Sequence, residues 1–395
     1  MLDARTPDLE ELLTRGVTYL IDENQVRAKL AKGEKLRIKF GVDPTGPTIH
    51  IGRAVPLWKL RAFQDLGHTV IFLVGDFTAQ IGDASDKTDE RPMLTKEQVQ
   101  ENLKGYLDQV GKIVDLSKAE VVYNSDWLSK LNFAEISQIA DAFSVAEMLD
   151  RDNFSKRFES GTRISLREFM YPLMQGYDSV AVKADLEIGG NDQYFNLMAG
   201  RTIQKKYGQA PQDIMTFEFL VGLDGRKMST SWGNCIYIVD EPQDMFGKIM
   251  TVNDDLIETY FRLATDLSLD QISEYLEQLE SGVNPRDIKL ELAKEIVRRY
   301  HGDEAAENAH QGFLQVFSEG ALPEDIQEIS AGEDTRFFVL VSDAFGVSKS
   351  EARRVISEGG IKVDGEPVTD PQIDVTTFAS GAVLQKGKRH FRKLV

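Results

Sequence analysis

Leu36-Arg-Ile-Lys-Phe-Gly-Val-Asp-Pro-Thr-Gly-Pro-Thr-Ile-His-Ile-Gly-Arg53 is the stretch of this 395-residue chain that decides its fold. Residues 36–42 alternate apolar and polar side chains, which predicts a β-strand. Residues 54–66 carry apolar side chains at helical spacing and end before a glycine, which predicts a helix. His50 and Gly52 lie where the strand turns into the helix, so an imidazole and bare backbone can approach phosphate groups there. The stretch therefore predicts a strand, a loop and a helix with an anion-binding turn.

The alternation of strands and helices continues downstream. Residues 69–75 contain a continuous apolar run, as in a buried parallel strand, and residues 95–115 have the pattern of one long amphipathic helix. Further strands are predicted at 119–123, 186–189 and 217–222. The pattern predicts an α/β fold with a Rossmann-like doubly wound parallel sheet, in which ligands bind beyond the carboxyl ends of the strands.

The pattern changes after residue 240. Helical segments follow one another up to residue 317, and residues 318–334 combine glycine, proline and acidic residues without an apolar period, which predicts a linker. A compact basic segment ends the chain. We therefore predict a Rossmann-like domain at 1–240, a helical domain at 241–320 and a small α+β domain at 335–395.

Net charge limits the kinds of partner. The formal charge of −18 argues against a protein that coats nucleic acid nonspecifically. Residues 335–395 hold ten basic and seven acidic residues, a net +3 that leaves −21 for the rest, so a local RNA-binding surface fits that end. The single cysteine, Cys235, allows no internal disulfide, and no signal-like or membrane-spanning apolar run is present. We expect a cytoplasmic protein with no membrane partner.

A second candidate phosphate-binding segment is Lys227-Met-Ser-Thr-Ser231, about 175 residues after His50. It places a lysine on a loop of small residues that can close over phosphates, whereas the first segment offers several donors to anionic oxygens. Either segment alone is a weak signal. As an ordered pair they indicate a site that activates a nucleotide.

Three polar clusters lie between these two segments. Residues 81–91 place a Gly-Asp turn before alternating charges, which suit an ammonium and a polyphosphate; a solvated loop is the alternative. Tyr171, Gln175 and Asp178 share one helix face in an apolar segment, where a ligand would satisfy them unless the stripe faces water. Residues 189–193, Gly-Gly-Asn-Asp-Gln, follow a predicted strand and form either a plain turn or a ribose-binding loop.

In order and approximate spacing, the two phosphate segments resemble the HIGH and KMSKS motifs of class I aminoacyl-tRNA synthetases. With the clusters between them, the chain resembles the bacterial tyrosyl-tRNA synthetases over essentially its whole length. Ser348-Lys-Ser-Glu-Ala-Arg-Arg-Val-Ile356 and Gly360-Ile-Lys-Val-Asp-Gly365 resemble an S4-like RNA-binding domain. The resemblance implies a tyrosine–tRNA ligase, which activates L-tyrosine with ATP to tyrosyl-adenylate and transfers the tyrosyl group to the 3′ end of tRNA(Tyr).

The resemblance also implies roles position by position. The residues that hold the migrating phosphate charge in catalysis would be Thr45, His50, Lys87, Arg91 and Lys227. The tyrosine-binding residues would be Asp83, Tyr171 and Gln175 for the ammonium, Asp178 for the phenolic hydroxyl, and Gln193 near the carboxylate. The residues that line ATP or the adenylate would be Gly41, Asp43, Gly52, Gly190, Asp192, Lys227 and Thr230, with Asp192 on the ribose.

Cofactor and partners follow from the same resemblance. Mg²⁺ is expected to assist with ATP, without a dedicated protein metal site, and the chain is expected to form a symmetric homodimer. The tRNA-binding residues of the basic end would be Lys349, Arg353, Arg354, Lys388 and Arg389.

Three residues depart from the family pattern. Thr230 stands where the mobile loop usually has a second lysine, so one pyrophosphate contact is lost or supplied elsewhere. Arg53 ends the first motif in place of histidine or asparagine, and it either adds charge near the nucleotide or turns to solvent. Lys39 replaces a tyrosine that assists hydroxyl recognition in the commoner bacterial form, so discrimination would depend more on Asp178.

Two other functions remain open from sequence. A tryptophan-specific relative would share nearly all the nucleotide contacts. An RNA-binding paralogue without catalytic activity would bind RNA through the basic end and release no pyrophosphate with any amino acid.

Overall fold

The computed structural model describes residues 5, 7–83, 93–318, 326–330, 332, 334–379, 381–387 and 390–395. Four residues of the predicted sites, Lys87, Arg91, Lys388 and Arg389, lie outside the described residues. The chain divides into two compact units. One comprises Met1–Asp240 and Ile249–Gly302, and the other comprises Glu241–Lys248 and Asp303–Val395. The predicted domain boundaries stay a prediction. Within the described ranges, no helix is long and apolar enough to cross a membrane.

One six-stranded sheet forms the centre of the first unit. Its strands are β1 (Val17–Ile21), β2 (Arg37–Val42), β3 (Thr69–Val74), β4 (Glu120–Tyr123), β5 (Leu186–Gly190) and β6 (Asp213–Phe217). They lie in the order β1-β6-β5-β2-β3-β4. Strands β2 to β6 pair in parallel, and β1 pairs antiparallel with β6. The chain builds outward from β2 to β4 and then returns to β5 on the other side of β2, which creates a switch point between β2 and β5.

Helices connect these strands. Up to the last strand of the sheet they are α1 (Leu9–Thr14), α2 (Glu23–Ala31), α3 (Ile51–Asp65), α4 (Thr78–Ile81), α5 (Lys96–Leu103), α6 (Tyr106–Gly111), α7 (Ser125–Leu128), α8 (Phe133–Ala140), α9 (Val145–Leu149), α10 (Asp152–Glu159), α11 (Leu166–Val182) and α12 (Tyr194–Lys206). Beyond the sheet they are α13 (Pro242–Ile249), α14 (Ile257–Ala264), α15 (Leu269–Glu280), α16 (Pro285–His301), α17 (Asp303–Ser318), α18 (Phe337–Phe345) and α19 (Lys349–Ser357). The doubly wound parallel sheet predicted from the sequence is confirmed.

Burial explains why the central elements form. The strand β3 is buried along Val70–Val74, as the continuous apolar run predicts for a central parallel strand. Helix α3 buries Ala54, Leu57, Leu60 and Phe63, which recur at helical spacing. Together these elements fix the position of the turn between β2 and α3.

Two predicted elements differ in the structure. The single helix predicted at 95–115 is divided into α5 and α6, because Gly105 adopts a left-handed φ of 70° that a continuing helix excludes. The strand predicted at 217–222 lies earlier, at β6, where the polar side chains Asp213 and Thr216 are buried. Because these buried residues are polar, the strand does not show the apolar pattern from which strands were predicted. The antiparallel edge strand β1 was not predicted.

The second unit contains a small sheet with the strands β7 (Glu328–Ile329), β8 (Ile361–Val363), β9 (Glu366–Pro367), β10 (Val383–Lys386) and β11 (His390–Leu394). Its order is β7-β11-β10-β8-β9. Helices α18 and α19 contribute Phe337, Leu340, Ala352 and Ile356 to one apolar core that also includes Leu384 of β10. The predicted small α+β fold at the end of the chain is confirmed.

Candidate active site

A cavity of about 990 Å³ lies at the carboxyl ends of the parallel strands of the first unit, at the switch point between β2 and β5. This is where an open α/β sheet binds ligands. Every predicted substrate or nucleotide residue within the described ranges lines it: Gly41, Asp43, Thr45, His50, Gly52, Asp83, Tyr171, Gln175, Asp178, Gly190, Asp192, Gln193, Lys227 and Thr230. The fold thus brings residues from five separate sequence segments into one cavity.

His50 caps the first turn of α3 at one end of the cavity. Its Nδ1 accepts from the backbone N–H of Arg53 at 3.3 Å. Burial has the largest effect on the pKa of His50, and together with the nearby cations Arg53 and Lys227 it lowers this pKa to about 3. The ring is therefore neutral at pH 7, and because Nδ1 is an acceptor, Nε2 carries the proton. His50 is thus a neutral hydrogen-bond donor at a helix N-terminus.

Gly52 permits the ring to lie this close to the helix. A Cβ at this position would lie 3.1 Å from His50 Nδ1 and 3.4 Å from the carbonyl oxygen of Leu220. Contacts of about 3 Å are tighter than carbon normally makes with its neighbours, so a side chain would displace the histidine. Glycine at this position is therefore explained by close approach to the ring.

Arg53 lies on the cavity side of α3. Its Nη2 donates to Thr45 Oγ1 at 3.4 Å, and its guanidinium also bonds the buried hydroxyl of Tyr106, whose pKa is raised by burial in spite of that contact. Arg53 and Thr45 both line the cavity. Of the two orientations left open by the sequence, the structure shows the one in which Arg53 lines the cavity.

Asp178 lines the same cavity, and it is 2% exposed. Its Oδ1 accepts from Trp127 Nε1 at 2.7 Å and its Oδ2 accepts from Asn124 Nδ2 at 3.2 Å. Burial raises the pKa of Asp178 to about 7, while Lys39 and the two donors oppose this rise. The polar stripe on α11 therefore faces the interior, and the alternative that it faces water is excluded.

Trp127 and Asn124 were missed from the sequence. They follow β4, and a strand was predicted there, so their place at the carboxyl end of that strand was the available signal. Nothing in the local sequence connects them with Asp178, which lies more than fifty residues later.

Two further carboxylates have defined partners in the cavity. Asp43 accepts from Tyr171 Oη at 2.8 Å through Oδ2 and from Thr78 Oγ1 at 2.7 Å through Oδ1. Asp83 accepts from Gln193 Nε2 at 2.6 Å. These contacts join residues that the sequence placed in separate clusters.

The segment that begins at Lys227 also lines the cavity. Lys227 Nζ is 3.0 Å from Asp192 Oδ2, and 4.7 Å from the centre of the Phe219 ring. Asn234 supports the segment, because its Oδ1 accepts from the backbone N–H of Ser229 at 2.8 Å and its Nδ2 donates to the carbonyl of Lys227 at 3.2 Å. A 3₁₀ turn, Thr230–Trp232, follows.

The second unit presents three of the predicted RNA-binding residues on the short helix α19. Lys349, Arg353 and Arg354 are exposed. The guanidinium of Arg353 lies 3.7 Å from the centre of the Phe338 ring, whereas Arg354 forms ion pairs with Glu351 and Glu358 on its own helix. Lys349 and Arg353 are therefore better placed than Arg354 to meet phosphate groups.

Comparison with known proteins agrees with these motifs. A family model described as tRNA synthetases class I (W and Y) matches residues 31–318, and an S4 domain model matches residues 335–378. The tyrosine–tRNA ligase of Thermotoga maritima is 45% identical over 98% of this chain and 98% of that protein. The tyrosine–tRNA ligase of Shewanella oneidensis is 48% identical over 98% of this chain and 99% of that protein.

Solved structures support the fold. A C-terminally truncated mitochondrial tyrosyl-tRNA synthetase of Aspergillus nidulans is similar with a TM-score of 0.65 and 24% identity, over 78% of this chain and 93% of that chain. The resemblance inferred from the motifs is confirmed. The chain belongs to the class I tRNA synthetases of the tryptophan and tyrosine type and, within them, to the bacterial tyrosyl-tRNA synthetases.

Proposed function

We propose that this chain is a tyrosine–tRNA ligase, which activates L-tyrosine with ATP to tyrosyl-adenylate and transfers the tyrosyl group to the 3′ end of tRNA(Tyr). The observation that carries the proposal is that two unlike polar groups line one cavity. One is a neutral histidine at a helix N-terminus, and the other is a buried carboxylate fixed by two donors. The first suits a phosphate, and the second suits a phenolic hydroxyl.

Amino-acid selection depends on Asp178 in this proposal. A carboxylate held by Trp127 and Asn124 has a fixed orientation, and its remaining lone pairs accept from the tyrosine hydroxyl. Phenylalanine would leave that buried carboxylate without this donor. A site built around a substrate hydroxyl rejects the analogue that lacks it by about 10⁴–10⁵-fold, a range for which tyrosyl-tRNA synthetases are themselves the standard example.

The tyrosine ammonium is assigned to three residues that line the cavity, Asp83, Tyr171 and Gln175. Asp83 supplies a carboxylate, and Gln193, which donates to Asp83 and also lines the cavity, is assigned to the substrate carboxylate. The opposite charges on the two ends of an amino acid thus meet groups of suitable polarity.

Adenylate formation requires no enzyme nucleophile, because the ionised carboxylate of tyrosine attacks the α-phosphorus of ATP itself. The protein then positions the two reactants and stabilises the charge that grows on the phosphates. His50 Nε2–H, Thr45 and Lys227 are assigned to these oxygens, and Lys87 and Arg91 keep the same assignment outside the described residues. Gly41, Asp43, Gly52 and Gly190 border the adenylate, and Asp192 accepts from the ribose.

Arg53 is proposed to supply the cation that Thr230 does not. Both side chains lie near Cys235. Burial raises the pKa of the Cys235 thiol, and the hydrogen bond from Thr230 and the positive charge of Arg53 lower it. The charge of Arg53 also lowers the pKa of His50, and its guanidinium donates a hydrogen bond to Thr45. A guanidinium at this position is a permanent charge beside the phosphate residues.

Mg²⁺ is proposed to enter with ATP as part of the substrate. Three carboxylates of the cavity, Asp43, Asp83 and Asp192, each contact a protein donor, and no cluster of three or more His, Cys, Asp or Glu side chains suited to a metal occurs in the part of the chain that the structure describes. Phosphate oxygens are the usual ligands of Mg²⁺ in such sites. No catalytic step is assigned to the metal.

The tRNA and a second copy of the chain are the proposed macromolecular partners. Lys349 and Arg353 support RNA binding at the basic end. Large apolar side chains are exposed on consecutive helices of the first unit, including Phe133 at 86% on α8 and Leu166 at 79% on α11. Exposed apolar residues grouped in this way favour burial against another subunit, which supports a symmetric homodimer. The cytoplasm is the proposed compartment.

ATP–pyrophosphate exchange tests the proposed function. Exchange that depends on tyrosine, and is weak with tryptophan and phenylalanine, is expected, followed by charging of tRNA(Tyr). Exchange that tryptophan drives best would assign the chain to the tryptophan enzymes. RNA binding without exchange for any amino acid would make it a regulator without catalytic activity.

A further inference from the structure

A buried ion pair lies in the floor of the cavity and has no role in the assignments above. Lys39 of β2 is 0% exposed and Glu187 of β5 is 1% exposed, with Lys39 Nζ 2.9 Å from Glu187 Oε1. Both residues line the cavity. A pair so fully desolvated contributes little net stability compared with apolar residues of the same size. Its place beside the substrate site therefore points to a role in recognition.

The ammonium of Lys39 is fully satisfied by three acceptors. Besides Glu187, it donates to the carbonyl oxygen of Gln175 at 2.9 Å and to Ser179 Oγ at 2.9 Å. A lysine has three N–H donors, so all of them are used. Two of the three acceptors belong to α11, the helix that carries the proposed tyrosine-binding residues.

Glu187 holds the side-chain amide of Gln175. Its Oε1 accepts from Gln175 Nε2 at 3.1 Å, and its Oε2 accepts from Ser179 Oγ at 3.1 Å and from Gln212 Nε2. Because Nε2 is engaged by Glu187, the carbonyl oxygen Oε1 of Gln175 is the atom left to accept from an amino group. The carboxylate thus determines which end of the amide serves the substrate.

The same pair sets the charges around Asp178. Burial has the largest effect on the pKa of Asp178, the cation of Lys39 lowers this pKa, and the anion of Glu187 raises it. These two charges come from the two strands at the switch point, and Tyr171 of α11 also interacts electrostatically with Asp178. Removing one member of the pair therefore leaves an uncompensated charge beside the carboxylate.

We propose that the Lys39–Glu187 pair is a positioning element for tyrosine selection, an inference that rests on the proposed function. The pair orients the amide of Gln175 toward the substrate ammonium, and its balanced charges keep Asp178 able to accept from the substrate hydroxyl. Lys39 thus acts through α11 and the charge balance and makes no contact with the hydroxyl. This gives a role to the residue that replaces the tyrosine of the commoner bacterial form.

Two single variants test this role because they are expected to act in opposite directions. The measurement is kcat/KM for tyrosine in pyrophosphate exchange from about pH 5.5 to 9. This range includes the acid limb, the part of the pH profile in which kcat/KM falls as Asp178 takes up a proton. Glu187→Gln leaves the charge of Lys39 uncompensated and moves the limb to lower pH. Lys39→Met leaves the charge of Glu187 uncompensated and moves the limb to higher pH. Each shift should be about 1 pH unit, the effect of one nearby charge on a carboxyl group.

A purely structural role would give a different result. Loss of packing lowers the rate at every pH and does not move the limb in opposite directions in the two variants. The double variant K39M/E187Q removes both charges, and its limb should return close to that of the unmodified chain. In both single variants KM for tyrosine should rise more than kcat falls, because the phosphate end of the cavity is unchanged.

Glu168→Gln is the matched control. Glu168 forms another buried ion pair, 2.7 Å from Arg157, on the same helix, but it lies ten positions before Asp178, about 15 Å along the helix axis. The same chemical change there should leave the acid limb in place.

If the variants keep tyrosine-dependent exchange, acid-limb shifts of the same sign in both, or no shift in Glu187→Gln, would overturn the positioning role. The proposed function would not be affected. Glu187→Gln is isosteric and decides the question if Lys39→Met does not fold. An unmodified chain without tyrosine-dependent exchange would overturn the proposed function, and this inference with it.

Discussion

Asp178, the residue proposed to select tyrosine, is expected to reduce the stability of the first unit at neutral and alkaline pH. Its pKa is raised from 3.8 to about 7 by burial. A group with this shift stabilises the folded state fully below its unfolded pKa, and that stabilisation is lost as the pH rises through the folded pKa. At 1.36 kcal/mol per pKa unit, a shift of about three units corresponds to about 4 kcal/mol in total. Of this, about 3 kcal/mol is lost between pH 4.5 and 8.

Asp178→Asn removes the ionisation and keeps the shape of the side chain. The free energy of unfolding of the unmodified chain, minus that of the variant, should therefore fall by about 3 kcal/mol between pH 4.5 and 8. The change with pH is the tested quantity, because altered hydrogen bonds to Trp127 and Asn124 add an offset that does not depend on pH. Urea unfolding followed by tryptophan fluorescence measures it, since Trp58, Trp127 and Trp232 all lie in the first unit.

The matched control is Asp126→Asn, which makes the same change at an exposed position next to Trp127. An exposed carboxylate loses little hydration on folding, so that variant should differ from the unmodified chain by the same amount at both pH values. If the Asp178→Asn difference is also independent of pH, Asp178 is not destabilised by burial, and the reasoning about its pKa is wrong.

Three further predictions concern the phosphate end and the tRNA. His50→Ala should slow adenylate formation by about 10²–10³-fold in single-turnover kinetics while tyrosine affinity stays nearly constant, since the lost Nε2–H donor acts on the developing charge; equal losses in rate and affinity would refute this role. Arg53→Ala should slow the same step, and adding Thr230→Lys should restore part of the rate; strictly additive losses would show that the two positions do not share one contact. Lys349→Ala with Arg353→Ala should weaken tRNA charging and lower its salt dependence without changing pyrophosphate exchange; unaltered charging would remove α19 from the tRNA surface.

The central fold could be predicted from the sequence because burial leaves a strong pattern there. Strand β3 is a continuous apolar run, β2 alternates apolar and polar residues, and α3 has an apolar face at helical spacing. Elements at the edges gave weaker patterns. Strand β1 lies at the sheet edge and exposes the consecutive residues Thr18 and Tyr19, and β6 buries polar side chains, so neither strand had a clear alternating pattern.

The nucleotide end of the site could be predicted because its groups lie in short local motifs. The loop before α3 and the segment at Lys227 each contain several of the predicted phosphate-binding residues within a few positions. The fold then brings these two segments into one cavity. The orientation of the Arg53 side chain was not predictable. Whether Arg53 faces solvent or the cavity depends on Thr45 and Tyr106, and the latter belongs to another helix.

The tyrosine end depends on pairs that are distant in sequence. Asp178 is fixed by Trp127 and Asn124, and Lys39 is paired with Glu187 across the sheet and connected to α11. No periodicity or motif joins these positions, since each pair exists only after the strands have been ordered. The sequence indicated which polar α11 residues face the interior and gave no information about the residues that hold them there.

Relative kcat/KM for tyrosine and phenylalanine in pyrophosphate exchange, compared between the unmodified chain and Asp178→Ala, tests the central claim most directly. We expect strong preference for tyrosine in the unmodified chain. In the variant the preference should fall by at least about 10-fold, because a hydrogen bond to a charged group contributes about 1.5–3 kcal/mol. The rate with phenylalanine should not fall in parallel. An unchanged ratio would contradict the claim that the buried carboxylate at the end of this cavity selects the amino acid.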